Sequence, residues 1–124
     1  MISKVELGEL PSVGLRVCEV DGGAVRTYLN AEFALAGNPG RYSMIPADEL
    51  WVDRCLSPAD AAATIVHEAI EYGLILGGTD YEQAHEAATG VELPMRLAMA
   101  GEDCDGDPVE FADAWLASRP CAGA

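Results

Sequence analysis

The chain has little positive charge: 124 residues include 7 lysines and arginines against 21 aspartates and glutamates, for a net charge of −14. Nucleic acids and anionic membranes are bound through basic surfaces, so this balance excludes both as expected partners. No apolar run has the length of a membrane span, and residues 1–6 lack the features of a signal peptide. We therefore expect a cytoplasmic protein, and the sequence does not indicate its oligomeric state.

Cysteine pairs and aromatic residues are also scarce. Four cysteines at positions 18, 55, 104 and 121 show no CxxC spacing, which argues against a thiolate zinc site. In a reducing compartment we expect free thiols, with Cys18 and Cys55 in or near the core, and disulfides are the alternative for an exported chain. Only 6% of residues are aromatic but 50% are hydrophobic, which predicts one small, tightly packed domain spanning residues 1–124.

Residues 1–56 are predicted to be mainly β. Residues 2–7 are a candidate strand, and residues 13–20 form a second one. The tight-turn signal Asp21-Gly22-Gly23 then precedes residues 24–29, so this region is predicted to be a β-hairpin.

The rest of this half is less regular. Residues 30–35 fit either an extension of the preceding strand or a helix, and Asn38-Pro39-Gly40 is a predicted loop. Residues 49–53 mix apolar and charged side chains on both sides, which is typical of an edge strand. Trp51 is predicted to anchor the core or that edge.

Residues 57–118 are predicted to be mainly α. Ser57 is an N-cap signal, followed by Pro58 and the carboxylate of Asp60, so a helix is expected from there to about residue 76. Gly77-Gly78 ends it. Strands followed by helices indicate an α+β fold, with a small, mostly antiparallel sheet followed by three to four helices.

Two more helices are predicted towards the C-terminus. Residues 79–82 form a capping box that begins the first of them. Gly90 and Pro94 are predicted to end or kink it, with a further helical stretch to about residue 100. Residues 102–107 are acidic and are predicted to be a solvated loop with an N-cap, the alternative being a calcium loop. The last helix is expected to begin near Asp107 and to stop before Pro120.

Histidine is scarcer still, because the sequence contains only His67 and His85. Each is followed by the dipeptide Glu-Ala. His67 and Glu71 are four residues apart, so they share one helix face among apolar neighbours, where buried polar groups need partners. The Gly77-Gly78 turn lets the next helix fold back and bring His85 towards them. The sequence thus predicts a metal site of His67, Glu71 and His85. The alternative is a hydrogen-bonded i, i+4 pair and a solvated His85.

Glu68 directly follows the first predicted ligand, so it would point beside the metal rather than at it. In the HExxH motif the glutamate at this position is the general base. Here Glu71 stands in place of the second histidine, and a carboxylate is an accepted zinc ligand. The expected cofactor is Zn²⁺, with Fe²⁺ or Mn²⁺ as alternatives because two imidazoles and one carboxylate also suit those ions.

Tyr81 and Glu92 share the helix face of His85. Tyr81 is predicted either to donate a hydrogen bond to a developing oxyanion or simply to pack near the helix start. Glu92 is predicted as a fourth metal ligand or as a partner that orients His85. An ion pair with Arg96, four residues further on, is the alternative.

Residues 48–92 resemble a reduced zincin metallopeptidase core. The resemblance lies in the strand at residues 49–53, the capped helix with His67-Glu68-x-x-Glu71 and the following helix with His85. The resemblance implies that His67 and His85 are ligands, that Glu68 is the base and that the edge strand holds a peptide substrate. Glu71 departs from the second histidine of that family. The spacing from Tyr81 to His85 is also similar to that in small bacterial and phage proteins of unassigned activity.

The sequence therefore predicts a zinc-dependent hydrolase, similar to metallopeptidases or amidases, that acts on a peptide or a small amide. The alternative is a non-catalytic module in which the His/Glu cluster is structural. Its candidate surface for a protein partner is the last helix, with Phe111, Trp115 and Leu116.

Overall fold

The computed structural model describes residues 2–99 and 107–118, and these residues have an α+β fold. The strands are β1 (Lys4–Leu10), β2 (Leu15–Val20), β3 (Ala36–Gly37) and β4 (Glu49–Asp53). The helices are α1 (Gly22–Tyr28), α2 (Pro58–Leu76), α3 (Tyr81–Ala98) and α4 (Pro108–Ser118). Within the described residues the strands form one sheet in the order β1-β2-β4-β3. The β1/β2 and β3/β4 pairs are antiparallel and β2/β4 is parallel, so the sheet is mixed but mostly antiparallel.

Alternation along β2 and β4 divides the apolar side chains between the two faces of the sheet. Val17 and Leu50 are paired in register and belong to a core cluster that includes side chains of α2 and α4. Their neighbours Cys18 and Trp51 belong to a second cluster that includes Phe33. The sheet is therefore covered on both faces. Helix α2, which carries His67 and Glu71, packs on the face of Val17 and Leu50.

The predicted hairpin is wrong, because residues 22–28 form helix α1 instead of a strand. The side chain of Asp21 accepts hydrogen bonds from the backbone N–H groups of Gly23 and Ala24, which makes it a helix N-cap rather than a turn residue. Gly22 is required by a close approach, since a Cβ there would lie 2.0 Å from Oδ2 of Asp53. Gly22 therefore allows helix α1 to begin against the end of β4.

The predicted edge strand is also wrong, because β4 lies between β2 and β3 and all five of its residues are buried. Its charged ends are paired within the protein rather than solvated. Oε1 of Glu49 accepts hydrogen bonds from Lys4 Nζ at 2.6 Å and from Trp51 Nε1 at 3.0 Å. The side chain of Asp53 accepts from the backbone N–H of Cys55. Trp51 is therefore a core residue.

The predicted helical half is confirmed in outline. Ser57 caps α2, which ends at Leu76. Asp80 rather than Thr79 caps α3. This helix continues through Gly90 and Pro94 to Ala98, so it does not end at either residue, and the helical stretch predicted beyond them is confirmed. Of the two cysteines expected in or near the core, Cys18 is buried as predicted, whereas Cys55 is exposed.

The C-terminal helix also matches the prediction. The side chain of Asp107 accepts a hydrogen bond from Val109 N–H at the start of α4, which ends at Ser118. Trp115 and Leu116 are half-buried against the main core cluster, whereas Phe111 is exposed, so a surface for a protein partner on this helix stays a prediction. The acidic segment 101–106, Cys104 and Cys121 lie outside the described residues. Within the described part of the chain, no helix combines the length and apolarity that crossing a membrane requires.

Candidate metal centre

Helix α2 places two of the predicted ligands in the interior. Ser57 Oγ accepts from Asp60 N–H at the helix start, and Ala61, Ala62 and Ala63 are buried where the helix packs on the sheet. His67 and Glu71 follow one turn apart and are only 6% and 2% exposed. Burial of an imidazole and a carboxylate costs free energy unless each finds polar partners.

Helix α3 supplies the third side chain. Gly78 adopts a φ of +101°, a conformation that favours glycine, in the turn between α2 and α3. The fully buried Ala84 and Ala88 on α3 have no bulky side chain to separate the two helices. His85, between these alanines, reaches His67 and Glu71, as the sequence predicted.

The three donor atoms form a small triangle. His67 Nε2 lies 3.1 Å from Glu71 Oε2, His85 Nδ1 lies 2.9 Å from the same oxygen, and the two nitrogens are 3.2 Å apart. With metal–ligand distances of about 2.1 Å, neighbouring ligands lie about 3.0 Å apart in octahedral and about 3.4 Å apart in tetrahedral geometry. The described residues His67, Glu71 and His85 are thus spaced to hold one metal ion.

Asn38 contacts the candidate site, although the sequence predicted only a loop at this position. Its buried amide nitrogen lies 2.9 Å from Oε1 of Glu68 and 2.9 Å from Oε1 of Glu71, and donates to both. Its own oxygen accepts from the backbone N–H groups of Gly40 and Arg41, which fixes the orientation of the amide. One side chain therefore holds both carboxylates, and the Asn-Pro-Gly turn signal was the only trace of it in the sequence.

Glu92 lies on the far side of His67, not at the donor triangle. Its Oε1 is 2.8 Å from Nδ1 of His67, and its Oε2 is 2.6 Å from Nε of Arg96. The structure therefore supports the predicted pair with Arg96 and places Glu92 beside His67 rather than beside His85. The N–H direction of His67 is not aligned on the oxygen, so this buried Nδ1 has no hydrogen-bond partner among the described residues.

The position of Glu92 suits a metal site nevertheless. Histidines that bind a metal through one ring nitrogen usually present the other to a carboxylate, which orients the ring. His67 has the donor triangle at Nε2 and the carboxylate of Glu92 near Nδ1.

The electrostatics of the cluster favour a cation. Burial lowers the pKa of His67, but hydrogen bonding to Glu71 and the charge of Glu68 outweigh it, so the pKa is raised. Burial raises the pKa of Glu71, but hydrogen bonds from His67, His85 and Asn38 hold it below its usual value. The site therefore favours positive charge, such as a proton on His67.

Glu68 has the opposite shift. Burial and the nearby charge of Glu71 raise its pKa from 4.5 to about 7, although His67 and Asn38 act against this. Its Oε2 lies 4.0 Å from His67 Nε2, so it stands beside the donor triangle rather than within it. This is the place that the sequence predicted for a general base.

Tyr81 and His85 form the site opening, the name used here for the exposed side of the cluster. The side chain of His85 is 50% exposed, and Tyr81 is 39% exposed. Their rings are stacked, with centroids 5.6 Å apart. The packing role predicted for Tyr81 is thus observed, and its role as an oxyanion donor stays a prediction.

Replacing Asn38 with alanine is expected to destabilise the protein by about 2–4 kcal/mol, because two buried carboxylates lose a donor each. The matched control is Asn30→Ala, where the amide oxygen of a more exposed asparagine only accepts from Glu32 N–H. Urea unfolding of both variants measures the difference. Equal losses of stability would show that Asn38 acts only through its own turn.

No protein-family model, no curated protein and no solved structure matches this chain. The resemblance to a zincin core therefore rests on the residues around His67 alone and stays a prediction. The geometry of the described side chains carries the functional argument.

Proposed function

We propose that the chain binds a divalent transition-metal ion through His67, Glu71 and His85 and uses it to hydrolyse a small substrate. The observation that carries this proposal is the donor triangle, whose sides measure 2.9–3.2 Å. Three protein ligands leave coordination positions for water and substrate, as in catalytic rather than closed structural zinc sites. Zn²⁺ is the first candidate, and Fe²⁺ or Mn²⁺ are alternatives for the same ligand set.

Glu68 is the proposed general base. When bound, the metal ion would lower the pKa of a coordinated water towards neutrality. Glu68 lies beside that position, and Asn38 holds its other oxygen in place. It would accept the proton of the attacking water and pass it to the leaving group. A base with a pKa near the working pH is the most effective one.

The fold favours a small substrate over an extended peptide. In the zincin resemblance a peptide pairs with an edge strand, but β4 is already paired on both sides. His67, Glu68 and Glu71 are buried, so access runs through the site opening at His85 and Tyr81. We therefore propose a small amide or ester as the substrate class.

A structural metal is the second candidate, and the burial of His67 and Glu71 favours it. An ion held between α2 and α3 would join the two helices, which make the most extensive contact between elements of the fold. The two proposals differ at Glu68, since a structural site does not need a base. Hydrolysis of an activated ester such as 4-nitrophenyl acetate by the zinc-loaded protein would distinguish them.

Zinc added to metal-free protein at pH 8 is expected to raise the melting temperature by about 10 °C. A ligand present at 100 times its dissociation constant stabilises the folded state by about 2.7 kcal/mol. The melting temperature of a domain of this size rises by about 4 °C for each kcal/mol of added stability. The matched variant is His85→Ala, which removes a half-exposed side chain and so leaves the core intact. Differential scanning calorimetry should show the shift in the wild type and little of it in the variant. Equal shifts in both would contradict the proposed ligand set.

A further inference from the structure

Arg41 is a cation that lies against the site opening. Its guanidinium carbon lies 5.1 Å from the ring centre of Tyr81 and 4.9 Å from that of Tyr42, within the range of cation–π contacts. Tyr81 in turn stacks on His85. Arg41, Tyr81 and His85 therefore form a continuous layer that leads from the surface to the metal centre.

The other cations that the structure describes make ion pairs of their own. They are Lys4 and Arg16 with Glu49, Arg26 with Asp53, Arg54 with Asp21, and Arg96 with Glu92 and Asp60. Arg41 pairs with Glu32 at 3.2 Å, but the side chain of Glu32 is 73% exposed. Such surface pairs contribute little, so an incoming anion can displace Glu32.

The loop that carries Arg41 is also fixed to the metal centre. The backbone N–H of Arg41 donates to the side-chain oxygen of Asn38 at 3.2 Å. The amide nitrogen of the same asparagine donates to Glu68 and Glu71. These hydrogen bonds therefore fix the backbone of Arg41 relative to the carboxylates of the site.

We propose that Arg41 is a specificity-determining residue that binds an anionic group, a carboxylate or a phosphate, on the substrate of the metal centre. This inference rests on the proposed function, because it assumes that a metal ion holds the reacting end. A guanidinium that lies on aromatic rings can bind an oxyanion through its N–H groups, and the anion would take the place of the exposed Glu32 carboxylate on Arg41. The net charge of −14 repels anions in general, so a local cation is needed to admit one.

The test is a titration of cobalt-loaded protein with acetate, inorganic phosphate and neutral acetamide at physiological ionic strength. Cobalt absorption in the visible range reports a ligand that reaches the metal. Arg41→Met is expected to weaken binding of the preferred anion at least fivefold, and Arg41→Lys to weaken it less. Acetamide should bind equally to all variants. The control Arg54→Met, whose side chain pairs with Asp21 far from the metal centre, should bind as the wild type does.

The outcomes separate this inference from the one on which it rests. A wild type that takes up no cobalt overturns the metal centre itself. Cobalt uptake with the same anion affinities in wild type and Arg41→Met overturns the role of Arg41 alone. A loss confined to acetate identifies a carboxylate on the substrate, and a loss confined to phosphate identifies a phosphate.

Discussion

Replacing Glu71 with glutamine is expected to weaken zinc binding by roughly 100-fold or more. Structural zinc sites with four ligands bind with about 10–16 kcal/mol, or about 3 kcal/mol per ligand, and each 1.4 kcal/mol is tenfold in affinity. Oε2 of Glu71 is the atom that both imidazoles approach, at 3.1 and 2.9 Å. A glutamine whose oxygen still accepts from Asn38 would present an NH₂ group to the imidazoles and so offer no lone pair to the metal.

The Glu71→Gln variant should stay folded without metal, because the amide of the new glutamine can donate hydrogen bonds to the imidazole nitrogens. Its matched control is Glu86→Gln, which changes an exposed carboxylate on α3 directly after His85. Isothermal titration of metal-free protein with zinc measures both affinities. Wild-type affinity in the Glu71 variant would contradict the ligand set, whereas a fall in both variants would indicate a general effect of charge.

Replacing Glu68 with glutamine is expected to leave zinc bound, to lower hydrolysis by about 10²–10⁴-fold, and to stabilise the metal-free protein at pH 8. The stability gain follows from the pKa of Glu68, which burial and Glu71 raise to about 7 in the folded protein from an ordinary 4.5. Between these values the folded state holds a proton that the unfolded state has lost. Stability therefore falls as pH rises from about 4.5 to about 7, by up to about 3 kcal/mol.

The uncharged glutamine escapes this cost, so the expected gain is about 1–3 kcal/mol at pH 8 and becomes small at pH 5. Urea unfolding of metal-free wild type and variant at the two pH values measures it, and Glu86→Gln should show no such gain. Full ester hydrolysis by zinc-loaded Glu68→Gln would remove Glu68 as the base. Loss of zinc from this variant would instead make Glu68 a ligand.

Local signals in the sequence were sufficient for the bounds of α2. Ser57 with Pro58 marked the start of α2, and Gly77 with Gly78 marked its end, because capping and termination depend on residues close in the chain. The i, i+4 spacing of His67 and Glu71 and a short turn then sufficed to predict the approach of His85.

The β half depended on distant contacts that no local pattern encodes. Asp21 caps a helix because Gly22 approaches the side chain of Asp53, more than thirty residues further on. The charges of β4 indicated an edge strand, yet Glu49 forms an ion pair with Lys4 of β1, a strand far away in the sequence. Mixed polarity in a strand therefore reflects its partners as much as its exposure.

The same limit applies to the residues that support the candidate site. Asn38 and Arg41 lie in a loop some thirty residues before the predicted metal ligands, and only the folded chain brings them to Glu68 and Tyr81. Glu92 was expected near His85 because both lie on α3, but the crossing of the helices places it at Nδ1 of His67. Spacing along one helix cannot give the geometry between two.

A crystal structure of the zinc-loaded protein, with anomalous data at the zinc absorption edge, would show whether His67, Glu71 and His85 bind the metal. One strong peak is expected at about 2.0–2.2 Å from His67 Nε2, His85 Nδ1 and Glu71 Oε2, with Glu68 beside it and not coordinated. A peak held by the acidic segment at residues 102–107 or by cysteines, with His67 still paired to Glu71, would contradict this ligand set.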